Sequence, residues 1–477
     1  MKRVHLIGIG GSGLSAIAIV LLESGIEVSG SDREFSPLAR QAQAAGAEVT
    51  IGHQAQNVSG ADVVVRSSAI PDDNVEVTAA QAAGIPVLKR ADFFSTLTSG
   101  RRVIAIAGTH GKTTCTSMIA WILTSMDLDP SYIIGGVSKN LDTNAHAGGG
   151  AEFVIEADEY DRMFLGLNPK YAVVTNVEHD HPDYYPTFDD FYQAFWNFIG
   201  RLEAGGELLF CEDDPGAARL RAQAQQSGFR TRTYGILDAG YDYYAHGLVS
   251  NSAGGTSFEA LCTKESSSGA VQVNLQVPGE HNVRNALAAL AVADMLGLPL
   301  SPAASALSEF QGTGRRFDVY DQVGGVILID DYAHHPTEIR ATLEAARQRY
   351  PQRTIWTVWQ PHTYSRTRTL LDGYTGAFQE ADHVLVTEIY AAREQKPEDN
   401  FSSEQVVRLM EHPKTVFTPG IPEAKDALLD GLGENDVVIV LSAGDADQLN
   451  RQLSHALRER SKTSFKGESG VGHLHSV

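Results

Sequence analysis

Short apolar runs recur along the chain, each ending in glycine or a polar cluster, and helix-length stretches separate them. Val4-His5-Leu6-Ile7 reads as a buried strand and Leu14 to Leu22 as the helix after it. Ile26 to Val28 and Asp62-Val63-Val64-Val65 repeat the pattern. A basic break, Ser99-Gly100-Arg101-Arg102, precedes the run Val103-Ile104-Ala105-Ile106-Ala107, with further strands at Phe153-Val154-Ile155 and Ala172-Val173-Val174 and a helix near Val283 to Leu296. After Gly312-Thr313-Gly314 come strands at Val326 to Ile329, Thr354 to Val358, Val384 to Val386 and Val437 to Leu441. Strands alternating with helices predict parallel α/β architecture, here in three domains spanning 1–99, 100–313 and 314–460. Residues 461–477 are rich in Ser and Gly and poor in apolar side chains, which predicts a disordered tail. No repeat of fixed short period stands out.

Length and charge sharpen this picture. A chain of 477 residues is too long for one ordinary core. With 38 Lys and Arg against 59 Asp and Glu, the net charge of −21 argues against a general nucleic-acid binder, which must displace counterions from phosphates. Anionic small substrates in a locally basic pocket remain compatible with it. Cys115, Cys211 and Cys262 are far apart and odd in number, which excludes a disulfide scaffold or a CxxC zinc site and fits a reducing cytoplasm. Lys2 and Arg3 before the uncharged stretch Val4 to Leu22, with Ala16-Ile17-Ala18, imitate an export signal, but Gly8, Gly10, Gly11 and Gly13 interrupt it. No segment is long and apolar enough to span a bilayer, so the expectation is a cytoplasmic protein without membrane insertion.

Two glycine-rich loops carry phosphate chemistry. Gly8-x-Gly10-x-x-Gly13 closes the first strand and opens the first helix, where backbone N–H groups can approach a pyrophosphate. Asp32 follows 19 residues after Gly13, at the spacing of a ribose-binding acid. NAD, FAD and a UDP-sugar all satisfy such a turn, and a ligand-free glycine turn is the plain alternative. Gly108-Thr109-His110-Gly111-Lys112-Thr113-Thr114 follows a buried strand and opens a helix, as a phosphate-cradling loop must. Lys112 can neutralise β- and γ-phosphate charge and the Thr113 hydroxyl can bind Mg²⁺. The loop is a variant, because the usual first glycine is Ile106.

Acids and imidazoles cluster at the ends of other strands. Glu156-Ala157-Asp158-Glu159-Tyr160-Asp161 is placed to hold Mg²⁺, or is a solvated acidic turn. Asn176-Val177-Glu178-His179-Asp180-His181-Pro182-Asp183 has no HExxH zinc spacing and suits a second Mg²⁺ or a substrate, or is a surface loop. His281, Asn282 and Asn285 stand at a helix start, where capping alone would explain Asn282. Arg315-Arg316-Phe317, Asp330-Asp331-Tyr332-Ala333-His334-His335-Pro336-Thr337-Glu338 and Gln360-Pro361-His362-Thr363-Tyr364-Ser365-Arg366 put polar groups where α/β sheets bind ligands. Each taken singly could be a cap or a loop.

Together these motifs resemble the Mur ligase family over residues 3 to 458. The resemblance rests on the Gly8 turn, Arg66-Ser67-Ser68-Ala69-Ile70, GTHGKTT, EADE, HNVRN, GTGRRF, DDYAHHPTE, QPHTYSRT and Tyr390-Ala391-Ala392-Arg393-Glu394. It implies a Rossmann-like UDP-binding first domain, a central P-loop ATPase-type domain and a C-terminal Rossmann-like α/β domain. The activity implied is ATP-driven joining of L-alanine to the lactyl carboxylate of UDP-N-acetylmuramate through an acyl phosphate, in a monomer or weak homodimer. Lys112, Glu156, His181, His335 and Arg366 would be catalytic, with Mg²⁺ on Thr113, Glu156 and His181. ATP would take the Gly108–Thr114 loop, His281, Asn282, Asn285 and Asp331. The UDP-sugar would take Gly8, Gly10, Gly11, Gly13, Asp32, His53, Ser68 and Arg316, and L-alanine would take His362 and Arg366. Closure of the domains over the reacting groups is expected, because water would hydrolyse the acyl phosphate.

The chain departs from the family pattern at three places. Many members carry Arg where Thr363 stands, His-Pro-Asp replaces a more usual apolar residue after the second histidine of the 176–183 run, and Ser442-Ala443-Gly444-Asp445 replaces a glycine-first turn. A ligase adding a whole tripeptide to the same UDP-sugar is the alternative within the family. A nucleotide-sensing regulator is the alternative outside it, and it leaves the His, Asp and Arg clusters of the third domain without work.

Overall fold

Val4, Leu6 and Ile7 are fully buried, and the strand they form is the centre of the first of three sheets. The computed structural model describes residues 1–263 and 269–468. The first sheet comprises β1 (Arg3–Ile7), β2 (Glu27–Asp32), β3 (Glu48–Ile51), β4 (Val63–Arg66) and β5 (Val87–Lys89), in the order β3-β2-β1-β4-β5. All its pairings are parallel, and the order reverses between β1 and β4. The glycine turn leaves β1 at this reversal, the place where open α/β sheets take ligands.

The second sheet comprises β6 (Arg102–Ala107), β7 (Ser131–Ser138), β8 (Thr143–His146), β9 (Glu152–Glu156), β10 (Tyr171–Val174), β11 (Glu207–Cys211), β12 (Thr231–Gly235), β13 (Tyr243–Ser250), β14 (Thr256–Cys262) and β15 (Gly269–Asn274). Its order is β15-β14-β13-β12-β11-β10-β6-β9-β7-β8, so β6 lies between β10 and β9. Both neighbours run parallel to β6, and all three strands deliver their carboxyl ends to one edge. β14 is antiparallel to its neighbours β13 and β15, and β7 and β8 are antiparallel to each other.

The third sheet comprises β16 (Asp318–Val323), β17 (Val326–Asp331), β18 (Thr354–Gln360), β19 (His383–Val386), β20 (Thr415–Phe417) and β21 (Asp436–Ser442), in the order β16-β17-β21-β18-β19-β20. Only β16 is antiparallel to its neighbour. The α/β class and the three sheets agree with the sequence expectation. By compactness the chain forms two units, one of residues 1–276 with 281–313 and one of Val277–Glu280 with the segment from Gly314 onward.

The first two sheets share a unit because one apolar cluster runs through both. It includes Val4 and Leu6 of β1, Leu14 and Ala16 to Leu21 of the first helix, Phe153 and Phe210 of the second sheet, and Phe164 and Phe195 from the helical segments Tyr160–Gly166 and Phe188–Ile199. Helix Ser12–Glu23 is buried from Leu14 through Leu21, with no polar face along that length. That burial explains its uncharged composition, which imitated an export signal. At its end Glu23 Oε2 accepts from Ala147 N at 2.7 Å and lies 2.9 Å from His146 Nδ1, tying the first sheet's helix to β8.

Helix Gln448–Glu468 continues past residue 461, where the sequence predicts the tail to begin. The rest of that tail lies outside the described residues. Among the described residues, no helix is long and apolar enough to cross a membrane.

Candidate functional site

The glycine turn is braced from below by β2. Gly8, at φ +89°, donates its N–H to Ser31 O at 2.8 Å, and Ile9 donates to the same oxygen at 3.2 Å. Asp32 accepts from Gly10 N at 2.8 Å through Oδ2 and from Arg33 N at 2.7 Å through Oδ1, so the acid expected at a ribose holds the turn. Ser67 packs against Gly8, and Ser68 is exposed beside it. His53 places Nδ1 3.0 Å from Ser31 Oγ and 3.5 Å from Glu76 Oε2.

Glu76, which sequence reasoning did not single out, is fully buried beneath these residues. It accepts from Ser31 Oγ at 2.5 Å and Gln54 N at 3.1 Å, and also from Asn57 Nδ2, with His5 Nε2 at 3.4 Å. Burial alone would raise its pKa, but the hydrogen bonds from His5, Ser31, Asn57 and Gln54 outweigh it and hold the group at about 2.

The phosphate loop is built between three strand ends. Gly111 adopts φ +80° and caps helix Lys112–Ser125. Asn176 accepts from His110 N at 2.7 Å and donates to His110 O at 3.2 Å, and Thr175 Oγ1 donates to that oxygen at 2.6 Å. Thr109 Oγ1 donates to Glu178 O at 2.8 Å, while His110 Nε2 lies 3.1 Å from Glu178 Oε2. The residues after β10 therefore fix the loop that follows β6.

Lys112 turns back into this loop. Its Nζ donates to Gly108 O at 2.5 Å and Thr109 O at 3.1 Å, and sits 3.0 and 2.8 Å from the two oxygens of Glu159. Burial would strip its proton, but Glu159, Asp158 and Glu156 overcome that and raise its pKa, so the ammonium stays charged. Glu159 is held below the usual carboxylate range because Lys112 and His181 outweigh its own burial. His181, with backbone φ +54°, brings Nε2 to 3.3 Å from Glu159 Oε1 and 3.7 Å from Asp180 Oδ2.

Glu156 ends β9 and accepts from Gly135 N at 2.7 Å. Burial pushes its pKa up, against Lys112 and hydrogen bonds from Gly135 and the Thr113 side chain. Thr113 and Glu156 thus meet as a pair of hard oxygen donors beside a buried cation, a donor set that suits Mg²⁺. Thr114 is buried one residue further along the helix.

Helix Glu280–Met295 carries His281, Asn282 and Asn285 in its first turns. Asn285 Nδ2 donates to Asn282 Oδ1 at 3.4 Å, and its Oδ1 would lie 2.7 Å from a Cβ placed on Gly111. The loop, Glu156, Glu159, His181 and Asn285 therefore converge within the first unit.

The second unit holds the remaining expected residues. Asp331 accepts from Phe317 N at 2.8 Å, Ala333 N at 2.7 Å and Thr342 Oγ1 at 3.3 Å; burial raises its pKa in spite of Arg316 and these donors. Arg316 lies over the Tyr332 ring at 5.0 Å, with Nη1 3.6 Å from Glu338 Oε1.

His335, expected to be catalytic, caps helix Pro336–Arg349: its Nδ1 accepts from Thr337 N at 3.2 Å, and Glu338 Oε2 accepts from His335 N at 3.3 Å. This is the capping alternative that each such cluster carried. It engages Nδ1 and the backbone N–H in holding the helix start.

After β18, Arg366 is buried, with Nη1 2.9 Å from His362 Nδ1 and donating to His362 O at 3.0 Å. The His362 ring stacks on Tyr390 at 5.7 Å. Thr363 is 2% exposed, with Oγ1 3.2 Å from Ser365 Oγ.

Gln360 explains the Ser442 turn. Its Oε1 accepts from Ser442 Oγ at 2.7 Å and from Asp445 N and Ala446 N, both at 3.1 Å. Gly444 is required there, since a Cβ would sit 2.5 Å from Gln360 Oε1 and 2.7 Å from Tyr390.

Family models match successive parts of the chain: residues 3–102 match "Mur ligase family, catalytic domain", 106–293 "Mur ligase middle domain" and 315–444 "Mur ligase, glutamate ligase domain". A UDP-N-acetylmuramate–L-alanine ligase of Roseiflexus sp. (strain RS-1) is 41% identical over 466 residues, covering 96% of this chain and 99% of that protein. The chain belongs to the Mur ligase family. This Mur ligase is also 42% identical over 465 residues to the protein of the same name from Chloroflexus aggregans, covering 94% and 97% of the two chains. Among solved structures it resembles the UDP-N-acetylmuramate-alanine ligase MurC of Thermotoga maritima, with TM-score 0.79, 28% identity and coverage of 97% and 100%. A murein peptide ligase of Psychrobacter arcticus 273-4, at TM-score 0.71 and 24% identity with full coverage of both chains, shares the fold.

Proposed function

We propose that this protein is an ATP-dependent ligase that joins L-alanine to the lactyl carboxylate of UDP-N-acetylmuramate, releasing ADP and phosphate in the cytoplasm. The observation that carries the reading is the buried Lys112 ammonium, held charged by Glu159 at the phosphate loop of a chain 41% identical to a ligase of that name. A carboxylate attacking the γ-phosphorus of ATP brings anions together, and Lys112 offsets the repulsion while the P–O bond to ADP breaks. Thr113 and Glu156 would hold Mg²⁺, which supplies further neutralisation of phosphate charge when bound, and His181 stands beside them through Glu159. The amine of L-alanine then attacks the acyl carbon and phosphate leaves. A guanidinium suits the carboxylate of the incoming amino acid, and Arg366, braced by His362, supplies one.

The test is phosphate release from purified protein with Mg-ATP and UDP-N-acetylmuramate, with L-alanine in one tube and the cell-wall tripeptide in another. Release that depends on L-alanine is the expected outcome. Release with the tripeptide alone would move the protein to the tripeptide-adding reading, and no release in either would restore the regulator.

A further inference from the structure

Helix Arg90–Leu97 opens with a guanidinium that the fold has largely withdrawn from water, with one long ion pair. The Arg90 side chain retains 19% exposure, and its Nε is buried with no hydrogen-bond partner. Its charged neighbour is Asp158, whose Oδ2 lies 3.9 Å from Nη2, beyond hydrogen-bond distance. A guanidinium carries five N–H donors, and withdrawing them from water unpaired is costly. Burial accordingly pushes its pKa down, against Asp158 and Asp161.

The head of Arg90 lies over Gly13. A Cβ on Gly13 would sit 1.5 Å from Nη1 and 2.7 Å from Cζ. The third glycine of the turn is therefore needed to admit an arginine from another helix. Gly13 stands in the first turn of helix Ser12–Glu23, whose N-cap Gly11 makes no side-chain hydrogen bond and whose first turn holds no acidic residue. The nearest carboxylate is Asp32, which β2 brings to Gly10 N at 2.8 Å, ahead of that first turn. Gly11 and Ser12 are exposed, so the Arg90 guanidinium and the solvent-open helix start lie side by side where an anion can reach both.

We propose that Arg90 is a diphosphate clamp, taking the diphosphate of the UDP-sugar against the glycine turn while its other edge faces Asp158 in the acid run beside Lys112 and Glu159. This rests on the UDP-sugar reading of the first sheet. Arg90 is thereby a substrate-binding residue shared between the turn that receives the nucleotide and the acids of the phosphate-transfer centre.

The test combines steady-state kinetics with competition by UDP and UMP, which differ by one phosphate. Arg90→Ala should raise KM for UDP-N-acetylmuramate about ten- to a hundredfold, the worth of a charge-assisted hydrogen bond, with KM for ATP and L-alanine unchanged. It should also abolish the preference of the wild type for UDP over UMP. Arg90→Lys should recover part of that preference, because a point charge replaces a fork.

Gly13→Ala should mimic Arg90→Ala by evicting the guanidinium, and the double variant should be no worse than either single one. If Arg90→Ala fails to fold, Arg90→Lys and Arg90→Gln carry the comparison. Unchanged KM and unchanged UDP preference in the Arg90 variants, with the wild type binding UDP, would overturn the clamp alone. A wild type that binds neither UDP nor UMP would overturn the UDP-sugar reading beneath it.

Discussion

Lys112 pairs with Glu159 and is proposed to serve the phosphate chemistry, and substitution separates the two. Lys112→Ala should remove ligase turnover and also leave Glu159 buried without its nearest cation, at a cost of about 3 kcal/mol. Adding Glu159→Gln should restore most of the lost stability and none of the activity, as read by thermal unfolding and phosphate release on the same preparations. A double variant as unstable as the single one would show that the pair does not set the local energetics. Lys112, Thr113 and Glu156 were legible because they sit in contiguous motifs. Glu76 and Arg90 were not, because each acts through partners far away in sequence; Glu159 and Gln360 stand in recognised motifs, but their partners Lys112 and the Ser442 turn do not follow from those motifs. His335 was legible as a helix cap: Pro336 and Glu338 after it are the local signature of a helix start.

The junction between the phosphate loop and its helix is the element with least tolerance. Gly111 combines φ +80° with Asn285 Oδ1 at 2.7 Å from any added Cβ. Gly111→Ala is expected to destabilise by about 1–3 kcal/mol and to raise KM for ATP, with KM for the UDP-sugar little changed. An alanine variant with unaltered ATP kinetics would show that the junction gives way elsewhere. Strands that read clearly from sequence are those buried on both faces, such as β6, β17 and β21, where every residue but the first of β6 is buried. Strands β13 to β15 and the pair β7–β8 mix polar, glycine and apolar positions, and β3 is a mostly exposed edge, so no continuous apolar run announces them. Helix Ser12–Glu23 misled in the opposite sense, being apolar all round because core closes on every side of it.

Across the whole molecule, two buried carboxylates give the two units opposite responses to pH. Glu76 in the first unit sits at about 2 against an ordinary 4.5, so its contribution, on the order of 3 kcal/mol, is present above pH 4.5 and is lost as pH falls toward 2. Asp330 in the second unit is raised from 3.8 to about 7, first by burial and then by Asp447, Asp331 and Asp318, against Arg315. Its sign is reversed: the unfolded chain ionises first, so that unit loses stability as pH rises from about 4 to 7. Calorimetry across pH should show Glu76→Gln flattening the acid limb of one transition. Asp330→Asn should remove the loss toward neutrality in the other. Shifts of both transitions by either variant would contradict independent control.

The strand order of the second sheet also has a consequence for biosynthesis. All five strands of the first sheet are complete once β5 has been made, whereas β6 emerges with neither neighbour available. It must wait for β9 and then β10 before both edges are paired, and the phosphate loop gains its Asn176 and Glu178 braces only after that. A ribosome stalled between β6 and β10 would therefore carry a nascent chain that holds all five strands of its first sheet but lacks both the braces of its phosphate loop and part of the core that covers helix Ser12–Glu23.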